Sequence, residues 1–131
     1  MPQISRVEYY RMLLKAATSG VFPSMDQDGQ CLYRLNSHKC AVGILIPDDV
    51  YLSYADNTGG LSGFNFFTRQ DVIHVEGFIE QDYLIMQEIH DDFARQLLPF
   101  NEDQRKSFDV NGYIKALNEC GVFTQEEIDQ A

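Results

Sequence analysis

Tryptophan is absent from this 131-residue chain, and its three cysteines, Cys31, Cys40 and Cys120, include no C-x-x-C pair. An odd, scattered set excludes a disulfide framework and a four-thiolate zinc site. The expectation is free thiols that pack as small hydrophobes. Long apolar runs are missing too, since nothing approaches the roughly 18 residues of a membrane span. The opening Met1-Pro2-Gln3-Ile4-Ser5 has neither the charged nor the apolar region of a secretory leader, so a cytoplasmic protein without membrane contact is expected. No G-x-G-x-x-G, P-loop or H-E-x-x-H occurs, which leaves nucleotide binding and zinc-protease chemistry without support. No cofactor is expected.

Positive charge is the scarcest commodity: ten Lys and Arg stand against twenty Asp and Glu, a net charge of −10. The imbalance is uneven. Residues 1–47 hold five bases against three acids, whereas residues 48–131 hold five bases against seventeen acids. Such a field repels phosphate backbones and anionic lipid, which argues against direct nucleic-acid binding and favours a basic protein partner. Solubility alone is the plainer use of the same charge.

What is present suffices for a core. Leu, Ile, Val and Phe make up 37 of the 131 residues, enough for one ordinary domain spanning residues 1–131. Ser5-x-x-Glu8 has the form of a capping box, with Ile4 and Tyr9 at the flanking staple positions. Val7, Tyr10, Leu14 and Ala17 continue as an apolar stripe to a stop at Gly20. Residues 21–39 read as a hairpin with turns at Asp28-Gly29 and Asn36-Ser37-His38. Asp26-x-Asp28-Gly29 lacks the later ligands of a calcium loop and reads as a turn. Lys39–Leu45 reads as a short buried helix limited by Pro47, and Pro47-Asp48-Asp49 as a further helix start. Residues 52–68 are irregular and aromatic-rich, and Asp71–Ile79 fits a strand or a helix interrupted by Gly77. A strong helix spans Asp82–Leu98, with Tyr83, Met86, Ile89, Phe93 and Leu97 on its apolar face. Asp109 caps another through Leu117, and Thr124-x-x-Glu127 caps a terminal turn.

The resulting expectation is an α+β, helix-dominated single domain with one small antiparallel β-hairpin contributed by residues 21–35. Core positions are Tyr10, Leu14, Leu32, Cys40, Val42, Leu45, Met86, Ile89, Phe93, Ile114 and Leu117. Arg34 is expected to pair with Asp48 or Asp49.

Three constellations bear on chemistry. Cys40 with His90 and Asp91 is the candidate nucleophilic set of a hydrolase or transferase, Cys40 lying at a helix start where the dipole favours a thiolate. The apolar sequence after Cys40 argues for burial, and neighbours on a helix point apart, so Asp91 is not expected to hold His90. Cys31, His38 and Cys40 offer three metal ligands at non-standard spacing. Glu80, Asp82, Glu88, Asp91, Asp92, Glu102 and Asp103 form a candidate acidic face for a partner. Phe64, Phe66 and Phe67 join it as an apolar anchor, or else cover the core.

The segments Cys31-Leu-Tyr-Arg34, K-C-A-V-G-I-L-I-P-D-D over Lys39–Asp49, Tyr51, and Q-E-I-H-D-D over Gln87–Asp92 resemble a family of small uncharacterised proteins of bacteriophages and prophages. The likeness covers less than half of the chain and departs between Tyr51 and Ile79. It implies a phage accessory gene expressed in bacterial cytoplasm. By analogy of setting and charge, the expected function is non-catalytic binding that modulates or inhibits a bacterial host or defence protein with a basic surface, in anti-CRISPR or nucleic-acid-mimic style. The alternatives are the cysteine enzyme above and a structural or assembly component of a phage. Oligomeric state is not readable from the residues.

Overall fold

The computed structural model describes residues 2–26, 28–49 and 66–131. The chain enters as a two-residue strand, β1 (Gln3–Ile4), and turns at once into helix α1 (Arg6–Thr18). Ser5 caps that helix, its hydroxyl accepting the Glu8 amide at 3.1 Å. The buried face of α1 is Tyr9, Leu13 and Ala16 with Tyr10 and Ala17 beside them. That is one position round from the Val7–Tyr10–Leu14–Ala17 stripe, and Leu14 is only partly buried. Tyr9 sets the rotation: fully buried, it donates its hydroxyl proton to the Ala41 carbonyl at 2.7 Å.

The hairpin is shorter than expected and lies later. Strands β2 (Arg34–Leu35) and β3 (His38–Lys39) pair antiparallel, Arg34 opposite Lys39, around a turn in which Asn36 takes φ 56°. Residues 21–31 contribute a single antiparallel bridge, Met25 to Cys31. The ladder stops there for lack of donors: Pro23 has no amide proton, and the Ser24 amide is bonded to a histidine ring. The Asp28-Gly29 turn forms as expected, with Asp26 Oδ1 accepting the amides of Asp28 and Gln30 at 3.0 and 2.9 Å.

Lys39–Leu45 is not a helix. Lys39 ends β3, and only Gly43–Leu45 makes a 3-10 turn. The Cys40 amide reaches across to the Tyr33 carbonyl at 3.2 Å, and Gly43 lies so near that a Cβ there would stand 2.0 Å from the same oxygen. Arg34 pairs with Asp48 at 2.8 Å, as expected, and Lys39 approaches the same carboxylate at 3.4 Å. Pro47-Asp48-Asp49, expected to start a helix, is not helical: Asp48 and Asp49 lie in a turn, and the residues that follow, 50–65, fall outside the described residues.

Phe66–Thr68 forms another 3-10 turn, and the ambiguous 71–79 stretch resolves as strand β4 (His74–Val75), parallel to β1 with Gln3 opposite His74. Helix α2 (Glu80–Arg95) follows, then a 3-10 segment over Glu102–Ser107, α3 (Val110–Glu119) and α4 (Gln125–Gln130). Helix α2 packs on α3, and α1 packs on both α3 and α4. Arg6 ties the last helix down. It bonds Glu127 at 2.8 Å and the Val122 carbonyl, and its guanidinium lies 5.3 and 5.8 Å from the Phe78 and Phe123 ring centres. The molecule is a helix-dominated α+β fold.

Of the expected core, Tyr10, Cys40, Val42, Leu45, Met86 and Leu117 are buried, whereas Leu14, Leu32, Ile89, Phe93 and Ile114 sit at its margin. Gly43→Ala, which forces a methyl into the Tyr33 carbonyl, is expected to cost at least ~2 kcal/mol by thermal or denaturant unfolding. Gly20→Ala meets no atom and carries only the strain of its positive φ, so it should cost less.

Candidate functional site

Helix α2 carries a fully buried histidine, His90, on its inward face. Its inward face runs Tyr83, Met86, His90, Ala94, with Leu97 just beyond the helix, so His90 occupies a place that spacing reserves for an apolar side chain. The ring is fully buried and stands edge-on to Phe22, with centroids 5.1 Å apart. Its Nε2 accepts the Ser24 amide at 3.1 Å, and its Nδ1 lies 2.8 Å from Asp91 Oδ1. A backbone amide only donates, so Nε2 is the bare nitrogen and Nδ1 carries the proton toward Asp91.

The contact between His90 and Asp91 corrects the expectation that adjacent helical residues cannot meet. Their Cβ atoms do diverge, but Nδ1 is the ring nitrogen nearer its own backbone, within reach of a carboxylate one residue on. The same Asp91 oxygen accepts from Gln87 Nε2 at 3.2 Å, and Gln87 Oε1 accepts the Val42 amide at 3.2 Å. One polar chain thus fastens two loops, at Ser24 and Val42, to a single helix. Ser24 and Gln87 were not singled out from the sequence. The available signal was a histidine at the centre of the 83–86–90–94–97 spacing.

Cys31, not Cys40, completes the cluster. The Cys31 sulfur, a His90 nitrogen and an Asp91 oxygen all lie within 4.8 Å of one another. Burial first, then the Asp91 charge and its hydrogen bond, push the Cys31 thiol up to about 12. The Cys40 sulfur accepts the Gly43 amide at 3.2 Å, yet its complete burial still holds that thiol at about 12. Neither thiolate is populated near neutrality, and the lone pair of the would-be base is taken by Ser24. The candidate set Cys40, His90 and Asp91 therefore lacks both an activated nucleophile and a free base.

Metal binding meets the same obstacle. Among the described residues, Cys31, His90 and Asp91 are the one group of three close enough to share an ion. Cys31, His38 and Cys40 are not brought together, and His38 Nδ1 instead lies 3.0 Å from the Gly20 carbonyl. A cation on His90 Nδ1 would move the ring proton to Nε2 and set it against the Ser24 N–H, donor facing donor. As folded, the group does not fit a metal.

The acidic residues divide by role. Asp82 is half-buried and caps α2 by accepting the Ile79 amide at 2.9 Å, and Asp91 belongs to the interior network. Glu102 pairs with Arg105 at 3.1 Å on the 3-10 segment, beside exposed Asp103. What reaches solvent together is a row one turn apart on α2: Glu80, Leu84, Glu88 and Asp92, with Arg95 at 3.7 Å from Asp92 at its far end. Leu84 is 45 % exposed within that row, and Ile79, at 66 %, precedes it.

Phe66 is fully buried against Tyr83 and His74, with ring centres 5.1 and 5.4 Å away, and Phe67 is half-buried beside it. Phe66 is therefore core and cannot anchor a partner. Phe64 lies outside the described residues. Among the described residues no helix is long and apolar enough to cross a membrane. Comparison with protein-family models, with curated proteins and with solved structures finds no match to this chain.

Thiol titration near pH 8 checks the electrostatics: Cys31 and Cys40 should stay unreactive in the native protein and react on unfolding. Both pKa values are raised on folding, from about 9 to about 12. Their contribution to stability is therefore complete below pH ~9 and is lost as pH rises toward 12. Alkaline unfolding followed by circular dichroism should begin in that window, and a Cys40→Ala variant should lose less stability across it.

Proposed function

We propose that this chain is a non-catalytic binding protein that docks on a basic surface of a bacterial host or defence protein and modulates or inhibits it. The observation that carries the reading is the exposed row Glu80–Leu84–Glu88–Asp92 on α2, an apolar side chain set among carboxylates. Carboxylates arrayed on a rigid helix steer a basic partner and suppress wrong ones, while Leu84 and Ile79 supply apolar area that charge does not. The net charge of −10 supports the same choice and opposes direct contact with nucleic acid. The phage setting comes from the resemblance of Cys31–Arg34, Lys39–Asp49 and Gln87–Asp92 described above.

The cysteine-enzyme reading is the weaker one, because the Cys40 thiol and the His90 imidazole that it needs are buried and both ring nitrogens of His90 already have partners. No particular observation favours a structural phage component.

Affinity capture from a bacterial host lysate, with the captured protein then purified and titrated, tests the proposal. The expected partner binds more weakly as salt rises. Glu88→Lys combined with Asp92→Lys should weaken it by roughly tenfold or more while leaving the fold intact. Asp91 is left untouched, since altering it would strip His90 of its partner and confuse unfolding with lost recognition. A partner indifferent to both reversals and to salt would refute acidic docking.

A further inference from the structure

Two surface features outside the His90 network match one another. The first is an open groove of about 330 Å³ lined by Met12, Val21 and Ile44 together with Lys15 and Lys39. It brings the second half of α1 together with β3 and the 3-10 turn, in the part of the chain where bases outnumber acids. The three apolar side chains are half-buried, and Lys15 is exposed. The second feature is Leu84, 45 % exposed, with Glu80 one turn before it and Glu88 one turn after.

We infer that the groove of one copy receives Leu84 of a second copy, with Lys15 and Lys39 of the first against Glu80 and Glu88 of the second. One chain carries both an apolar knob bounded by carboxylates and an apolar groove bounded by ammonium groups, and this complementarity selects a second copy as the occupant. The net charge of −10 repels copies at long range, but screening confines that repulsion to about 8 Å at physiological salt, leaving contact charges to decide. Lys39 already shares Asp48 at 3.4 Å, so Lys15 is the stronger contributor. A single apolar anchor with a charged rim is smaller than the roughly 1,200 Å² of a stable interface, so the association is weak and grows with concentration. Reciprocal insertion gives a two-fold pair, and one-way insertion gives a chain.

The inference rests on the reading of the α2 row as a docking surface, and adds that the unbound protein covers the row with its own groove. Sedimentation velocity across a wide concentration range tests it without any foreign partner. The wild type should sediment faster as concentration rises. Lys15→Glu alone, or Glu80→Lys with Glu88→Lys, should weaken association about tenfold or more, and Leu84→Ser should do so without changing charge. An equimolar mixture of the Lys15→Glu chain and the doubly reversed chain should regain association, because an intact row then meets an intact groove. Circular dichroism of each variant verifies that the fold is kept, and the mixture provides a gain that misfolding cannot imitate. A wild type that stays monomeric throughout overturns the inference, as does association indifferent to these changes or a mixture that fails to recover. A monomeric wild type that still captures a salt-sensitive basic partner overturns only the self-association and leaves the docking row standing.

Discussion

The imidazole of His90 occupies the centre of a helix face that otherwise buries only Tyr83, Met86 and Ala94. A buried polar ring is costly unless both nitrogens find partners, and here one accepts the Ser24 amide while the other donates to Asp91. The rest of the architecture follows from that demand. The segment after α1 must return to present Ser24, and that return spends the amide that would have lengthened the hairpin. The same Asp91 oxygen also accepts from Gln87, whose own side-chain oxygen accepts the Val42 amide beside the 3-10 turn. Two loops without regular structure are thereby positioned by one helix through four hydrogen bonds. Such a network is worth more intact than the sum of its parts and fails badly when one member is removed.

The same arrangement explains why residue types that suggest catalysis do not assemble into a reactive site. A thiol, an imidazole and a carboxylate lie together, but desolvation holds the thiol protonated and the imidazole lone pair faces a backbone donor. An active site needs one of these groups left unsatisfied and reachable, and here the folded chain satisfies the imidazole and buries it. The exposed charge lies elsewhere, on the surface of α2 and the 3-10 segment. The acids are not one face: Asp82 caps a helix, Asp91 serves the interior and Glu102 is tied to Arg105. Among the described residues, the α2 row combines exposed carboxylates with an exposed aliphatic side chain at helical spacing.

Helix ends and the long helix were legible from local chemistry. Ser5, Asp109 and Thr124 cap where their spacing says they should, because a cap needs only an oxygen and an amide a few residues away. The 83–86–90–94–97 periodicity was equally local, although reading it with Ile89 and Phe93 in place of His90 and Ala94 turned the helix slightly out of register. The stripe was assembled from large apolar side chains alone, which passes over a histidine and an alanine that packing buries. Likewise Lys39–Leu45 has helical composition, yet the close approach of Gly43 to the Tyr33 carbonyl, a contact between segments, holds it as a turn.

By itself, then, the sequence determined the class of fold, the capped helix starts, the Asp28-Gly29 turn, a pairing of Arg34 with Asp48 or Asp49 and the acidic bias, all consequences of residues near one another in the chain or of composition. Tertiary structure alone decided that Cys31 rather than Cys40 joins His90 and Asp91, that Phe66 is core, and that three of the seven acids considered, Asp82, Asp91 and Glu102, are engaged in a cap, a network or an ion pair rather than left for a partner. Those outcomes depend on which amide or ring from elsewhere in the chain meets each side chain, and burial then sets whether a group is reactive, paired or exposed. Sequence spacing encodes direction along one element; only packing between elements assigns a polar atom its partner.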